Sequence, residues 1–154
     1  MKIVVCIKQV PATGADKRYT DDLRLDRASA EAIINPLDEY AIEQALRLAD
    51  DGVADVITYL TMGPESASEA LRRALAMGGD DAVLVSDPGL AGSDEWVTAR
   101  VLAAALDRLA PDEIFRVVLA GYGEPTTHPR FFEFIDELRP HPVRFDMVSN
   151  GHLL

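Results

Sequence analysis

Short, unbroken apolar runs alternate with amphipathic stretches along this 154-residue chain, and that alternation leaves few folds open. Ile3 to Ile7 is apolar throughout rather than at every second position, as in a parallel strand covered on both faces. After a long polar segment, a helical pattern opens at Asn35-Pro36, with Leu37, Ala41, Ala45 and Leu48 at helical spacing beside Ile42, Leu46 and Ala49. Proline suits the first helical position, and Asp38 and Glu39 suit the positive end of the helix dipole, so the helix is expected to begin at Pro36. Asp51-Gly52 ends it, and Val53 to Leu60 reads as the second strand. Gly63-Pro64-Glu65 opens a helix with Ala67, Leu71, Ala74 and Leu75 as its buried stripe; Gly78-Gly79 stops it, and Ala82 to Val85 is the third strand. Asp94 or Ser93 can cap a helix whose core face is Trp96, Val97, Val101, Leu102, Ala105 and Leu109. Phe115 to Ala120 and Val143 to Val148 are the fourth and fifth strands, and Phe131, Phe134, Ile135 and Leu138 mark the helix between them. Strand–helix units of roughly thirty residues, joined by right-handed crossovers, give an α/β protein with a parallel sheet.

At 48% hydrophobic and 27% charged, the chain suits one domain with a full core over residues 1–154. A formal charge of -11 opposes nucleic acid and anionic membranes as main partners, while leaving room for a local basic pocket. The lone Cys6 rules out an intrachain disulfide and any cysteine-based metal cluster, so no iron–sulfur cluster is expected and a reducing cytoplasm fits. The run from Met1 to Lys8 is too short for a signal peptide or a membrane span.

Two segments stand out as candidate functional ones. Gln9 to Asn35 carries Pro11, Gly14 and many charges without a sustained period; it reads as a flap over a ligand or as a plain mobile loop, with a short hairpin around Leu23 to Ala28. Residues 117–129 run from a β-branched strand through Gly121, Gly123, Pro125 and Pro129 into a helix, which places their loop at the carboxyl edge of a central strand, where doubly wound sheets bind ligands. Neither carries an enzyme's signature. Gly121-Tyr122-Gly123-Glu124 lacks the third glycine of a dinucleotide fingerprint, and no phosphate-loop lysine follows. The turns at 62–66 and 121–129 present backbone N–H groups to an anion, but Glu65 and Glu124 would oppose a phosphate. His128, His141 and His152 have no metal-ligand spacing, no serine sits in a nucleophile elbow, and Cys6 lies inside an apolar strand as inert packing. Asp21-Asp22 and Asp80-Asp81 read as solvated turn residues. The chain is not expected to be an enzyme.

Several phrases carry a resemblance. Lys2-Ile-Val-Val-Cys-Ile-Lys-Gln-Val-Pro11, Asn35-Pro-Leu-Asp-Glu-Tyr-Ala41, Met62-Gly-Pro-Glu65, Ala70-Leu-Arg-Arg-Ala-Leu-Ala-Met-Gly78 and Thr98-Ala-Arg-Val-Leu-Ala103 resemble the small, beta, subunit of electron transfer flavoproteins over residues 1–112. The resemblance implies a three-layer, doubly wound, mostly parallel five-stranded sheet of the adenine-nucleotide-binding, flavodoxin-like kind, strand order 3-2-1-4-5. It also implies a bound AMP, and a larger alpha subunit that carries most of the FAD contacts. By motif position Cys6, Asn35, Pro36, Leu37, Asp38 and Met62 would line the AMP pocket, with Gly121 and Gly123 on the facing loop.

From residue 113 the pattern departs from that family. Gly121-Tyr-Gly-Glu-Pro-Thr-Thr-His-Pro129, Arg130 to Leu138 and Met147-Val-Ser-Asn-Gly151 resemble a strand–helix–strand piece of a radical S-adenosylmethionine enzyme barrel, without that family's three-cysteine motif and so without its radical chemistry. Residues 113–154 would then complete the sheet of a recombined or designed chimera. The reading expected is a hybrid domain with at most residual affinity for AMP. Its alternatives are an electron-transfer subunit working with a flavin-carrying partner, placed lower because the chain ends where the family continues, and a stable fold without native activity that dimerises through an edge strand.

Overall fold

The computed structural model describes residues 1–109 apart from 17, 24 and 28, together with 115–119, 127, 129–140 and 143–147, the strands 115–119 and 143–147 by their backbone. Strands β1 (Lys2–Cys6), β4 (Val56–Met62) and β5 (Asp81–Val85) form a parallel sheet in the order β1-β4-β5. Lys2 pairs with Val56 and Thr58 with Asp81, so all three strands end at the same carboxyl edge, at Cys6, Met62 and Val85. Strands β6 (Phe115–Leu119) and β7 (Val143–Met147) form a second parallel pair, and β6 runs close beside β1. The α/β class and the parallel sheet are therefore present. The 3-2-1 half of the expected order appears as a hydrogen-bonded ladder and the 4-5 half as a separate pair. No ladder joins the two halves among the described residues, so a continuous five-stranded sheet is not established.

Helices α1 (Asp38–Asp50) and α2 (Ser68–Met77) cover one face of the sheet, burying Ile42, Ala45, Ala70, Leu71 and Ala74 against Ile3, Val5, Ile57 and Tyr59. Helix α3 (Glu95–Leu109) covers the other face, where Leu106 meets Leu60 with Val4, Val83 and Leu102 around them. An unbroken apolar strand is the sequence mark of such two-sided cover: Ile57 and Tyr59 serve one layer of helices and Leu60 the other. Helix α4 (Phe131–Leu138) is tied to α3 by Arg130, whose guanidinium lies 4.0 Å from the centre of the Trp96 ring, and by Arg100 with Glu137 at 3.5 Å.

Several expectations need correction. Helix α1 begins at Asp38, two residues after Pro36, because Asn35 to Leu37 form a hydrogen-bonded turn first. The segment 9–35 is not a structureless loop: β2 (Gln9–Pro11) and β3 (Ala32–Ile34) pair antiparallel, and the bridge between Tyr19 and Leu25 extends the excursion. Val97 and Leu75, assigned to buried faces, are exposed. Asp80 is an exposed bend residue whose carboxylate also accepts the Ile57 N–H at 2.8 Å, and Asp81 is the first residue of β5 and not of a turn. The cap at Asp94 is found, its Oδ1 accepting from Val97 N–H at 2.9 Å.

Candidate functional site

At the carboxyl edge of the sheet, polar groups from three segments interlock. The Asn35 N–H donates to the Lys8 carbonyl at 2.7 Å, and the Lys8 N–H donates to Asp38 Oδ2 at 2.6 Å. The Asn35 side-chain amide donates to Asp38 Oδ1 at 2.9 Å, while its oxygen accepts from Leu37 N–H at 3.4 Å. The Lys8 ammonium reaches across to the Met62 carbonyl at 2.9 Å. The segment after β1, the turn before α1 and the end of β4 are thereby tied together. The sequence reason is local: asparagine and aspartate bond their own backbone in turns, and Pro36 keeps the residue before it out of the helix.

The electrostatics follow from this crowding. Burial pushes the Asp38 carboxyl up, against the Lys8 N–H and Asn35 amide bonds that favour its ionised form. Burial lowers the Lys8 ammonium, and the nearby Arg27 guanidinium lowers it further. Cys6 corrects the expectation of inert packing: it is exposed at the end of β1. Yet its thiol is pushed up to about 11, by burial first and by the Asp38 carboxylate second. The residue is exposed while its thiol sits among many protein atoms, which is why burial leads the shift. Met62 is buried, and Gly63 after it folds the chain tightly enough that a Cβ there would lie 3.0 Å from the Ala67 Cβ. That close turn starts the 3-10 turn Glu65–Ala67 leading into α2.

Of the residues the sequence proposed, Asn35, Pro36, Leu37 and Asp38 form one turn, and Cys6 and Met62 are the last residues of β1 and β4 at the same edge. Gly121 and Gly123 lie outside the described residues, as do His128, His141 and His152. The sequence reading missed Lys8, Gln9 and Arg27. With Met62, Gly63 and Pro64 they line a small pocket of about 40 Å³ beside the turn. The sequence carries no signal for the pair, since Lys8 stands before the polar segment 9–35 and Arg27 is one of four cations within it. A larger hollow of about 210 Å³ sits at the opposite, amino edge, lined by Lys2, Thr58, Asp81 and Leu109 among others, and Leu109 adjoins residues outside the described ones.

No group of three or more metal-ligating side chains occurs among the described residues, and no helix among them is long and apolar enough to cross a membrane. Nor is a nucleophile paired with a base among the described residues. What the edge offers is a hydrogen-bonded turn, one thiol and a cation-lined pocket. The pocket alone, at about 40 Å³, is far below the several hundred Å³ that a nucleotide-sized ligand takes up, so it could hold only a part of such a ligand.

The chain spans about half the length of the curated relatives it matches. The electron transfer flavoprotein subunit beta of Mycobacterium tuberculosis (strain CDC 1551 / Oshkosh) is 45% identical over 124 residues, covering 77% of this chain and 46% of the relative. The acryloyl-CoA reductase electron transfer subunit gamma of Anaerotignum propionicum is 49% identical over 109 residues, 71% of this chain and 40% of the relative. The caffeyl-CoA reductase-Etf complex subunit CarD of Acetobacterium woodii is 40% identical over 121 residues, 79% and 45%. The electron transfer flavoprotein domain matches residues 22–121, nearly two thirds of the chain and every described element from β3 to β6. With the parallel sheet and its two-sided helical cover, that match places this protein in the electron transfer flavoprotein domain family.

Proposed function

We propose that the chain is the nucleotide-binding portion of an electron-transfer subunit that works with a flavin-carrying partner. The observation that carries the reading is that relatives 40–49% identical to it are themselves named as electron-transfer subunits, one of them as a subunit of a reductase complex. The hybrid with only residual AMP affinity, the first expectation from sequence, has less behind it. The partner is of the flavoprotein alpha kind, and FAD is held between the two chains rather than by this one alone. In this reading the role of the chain is to bind, position and dock.

An adenine nucleotide such as AMP would lie at the carboxyl edge. Asn35, Pro36, Leu37 and Asp38 would form one wall, Cys6 and Met62 the floor, and Gly121 and Gly123 the facing loop. The side chains of Asn35 and Asp38 are committed to each other and to Lys8, so their part is to hold the turn's backbone in place for the ligand. A reducing, cytoplasmic setting agrees with an exposed, unpaired Cys6.

Mixing the chain with a flavin-carrying large subunit and FAD tests the partner reading: flavin absorbance that co-elutes with both chains supports it, and flavin eluting with the large subunit alone sinks it. Calorimetric titration with AMP tests the nucleotide separately, with absence of heat and of any thermal shift at millimolar AMP as the contrary result. A second reading, that residues 113–154 are a recombined or designed piece resembling a radical S-adenosylmethionine enzyme, has one specific support. The family match ends at residue 121, after β6, and leaves α4 and β7 beyond it. Replacing residues 120–129 with a family relative's loop should then tighten AMP binding; unchanged affinity removes the reason for that reading.

A further inference from the structure

A protein with an excess of eleven negative charges repels anions at long range, so an anion site on it needs positive charge gathered locally and a lining without acids. The pocket beside the Asn35 turn has that composition. Lys8 and Arg27 both line it, and its other walls are Gln9, Met62, Gly63, Pro64 and small apolar residues, with no aspartate or glutamate. The Lys8 ammonium bonds only a neutral carbonyl, that of Met62. No carboxylate pairs with Arg27 among the described residues. Glu65, which the sequence suggested would repel a phosphate here, is exposed and does not line the pocket. Two cations facing one space repel each other, and an anion between them turns that repulsion into two attractions.

We infer that the pocket between Lys8 and Arg27 is a subsite for a phosphoryl group, carried by a nucleotide or free in solution. The arginine supplies a planar fork that matches two phosphate oxygens, and the lysine a point charge fixed by its Met62 bond. The volume of about 40 Å³ has room for one tetrahedral anion or a few waters, and none for a base or ribose. Gln9 keeps one wall in place by donating from Nε2 to the Ser66 carbonyl at 2.9 Å. Where the phosphate belongs to a nucleotide, the inference rests on the nucleotide-binding reading above.

The test compares adenosine, AMP and inorganic phosphate by calorimetry on the full chain and on Arg27→Gln, an exposed position whose replacement leaves the core alone. Circular dichroism confirms that the variant is folded. AMP should bind the unaltered chain more tightly than adenosine, and Arg27→Gln should weaken AMP about tenfold while leaving adenosine unchanged. If AMP binds and Arg27→Gln does not alter it, the subsite is overturned and the nucleotide reading stands. If phosphate binds in an Arg27-dependent way but neither adenosine nor AMP does better than phosphate, the subsite stands and the nucleotide reading falls. If none of the three binds, both fall.

Discussion

The two ends of the same three strands are built differently. At the amino edge, Asp80 accepts the Ile57 N–H, the Tyr59 hydroxyl donates to the Gly78 carbonyl at 2.8 Å, and the Met1 amino group pairs with Asp55 on the surface. These contacts each close one polar group onto the backbone or onto an exposed partner. At the carboxyl edge, Lys8, Asn35, Asp38 and Met62 share their bonds, a thiol and a carboxyl are pushed up together, and two cations are left facing a pocket. One end finishes the fold. The other holds polar groups in a poised arrangement, which is where a ligand-binding α/β sheet concentrates its function.

If that division is real, damage to the amino edge should cost stability without touching the carboxyl edge. Gly79 has φ +101°, and a Cβ on it would lie 2.7 Å from the ring of the fully buried Tyr59. Gly79→Ala should therefore destabilise the chain by about 3 kcal/mol in chemical denaturation, while the alkylation rate of Cys6 in the folded protein stays as it was. A change in that rate would show the two ends to be coupled.

Asp38→Ala should do the opposite at the other end. Losing the acceptor for the Lys8 N–H and the Asn35 amide costs about 2 kcal/mol. Removing the carboxylate also takes away one cause of the raised Cys6 pKa, so more thiolate is present at a given pH and alkylation at pH 8.5 speeds up. A rate that falls or stays level breaks the link between the turn and Cys6. Thr61, one residue before Met62, is fully buried with a hydroxyl that has no partner among the described residues. Replacing it by the isosteric valine should raise stability by about 1 kcal/mol, and a loss would mean that the hydroxyl is satisfied by something the fold alone does not supply. The smallest effect belongs to the amino edge: Asp55, exposed beside the chain terminus, is held below the ordinary carboxylate range by that amino group, and Asp55→Asn should leave the thermal midpoint in place.

Much of the fold was legible because its signals are local. Ile3 to Ile7 announced a strand covered on both faces, and Gly78-Gly79 announced a stop that the left-handed φ of both residues bears out. The β2–β3 ladder was not legible, since Gln9–Pro11 and Ala32–Ile34 are three-residue strands with a proline in one, and their pairing spans twenty residues with no period to give it away. Val97 was assigned to the core from its spacing, but α3 covers a sheet face that Leu106 and Leu102 already fill. At the site, the Asn35 turn could be read from its residue types. The convergence of Lys8 and Arg27 could not, because only the folding back of residues 12–31 brings them to one pocket.

The claim that the carboxyl edge is the ligand-binding end is met most directly by using Cys6 as a reporter. Cys6 is an exposed residue at the carboxyl end of β1 and its thiol is pushed up to about 11, so at pH 9 it alkylates slowly enough for protection to be timed. With AMP at a concentration that saturates the calorimetric titration, the account predicts that Cys6 alkylation slows severalfold in the intact chain. Saturating AMP that leaves the rate unchanged would contradict it, and would move the nucleotide away from this end of the sheet.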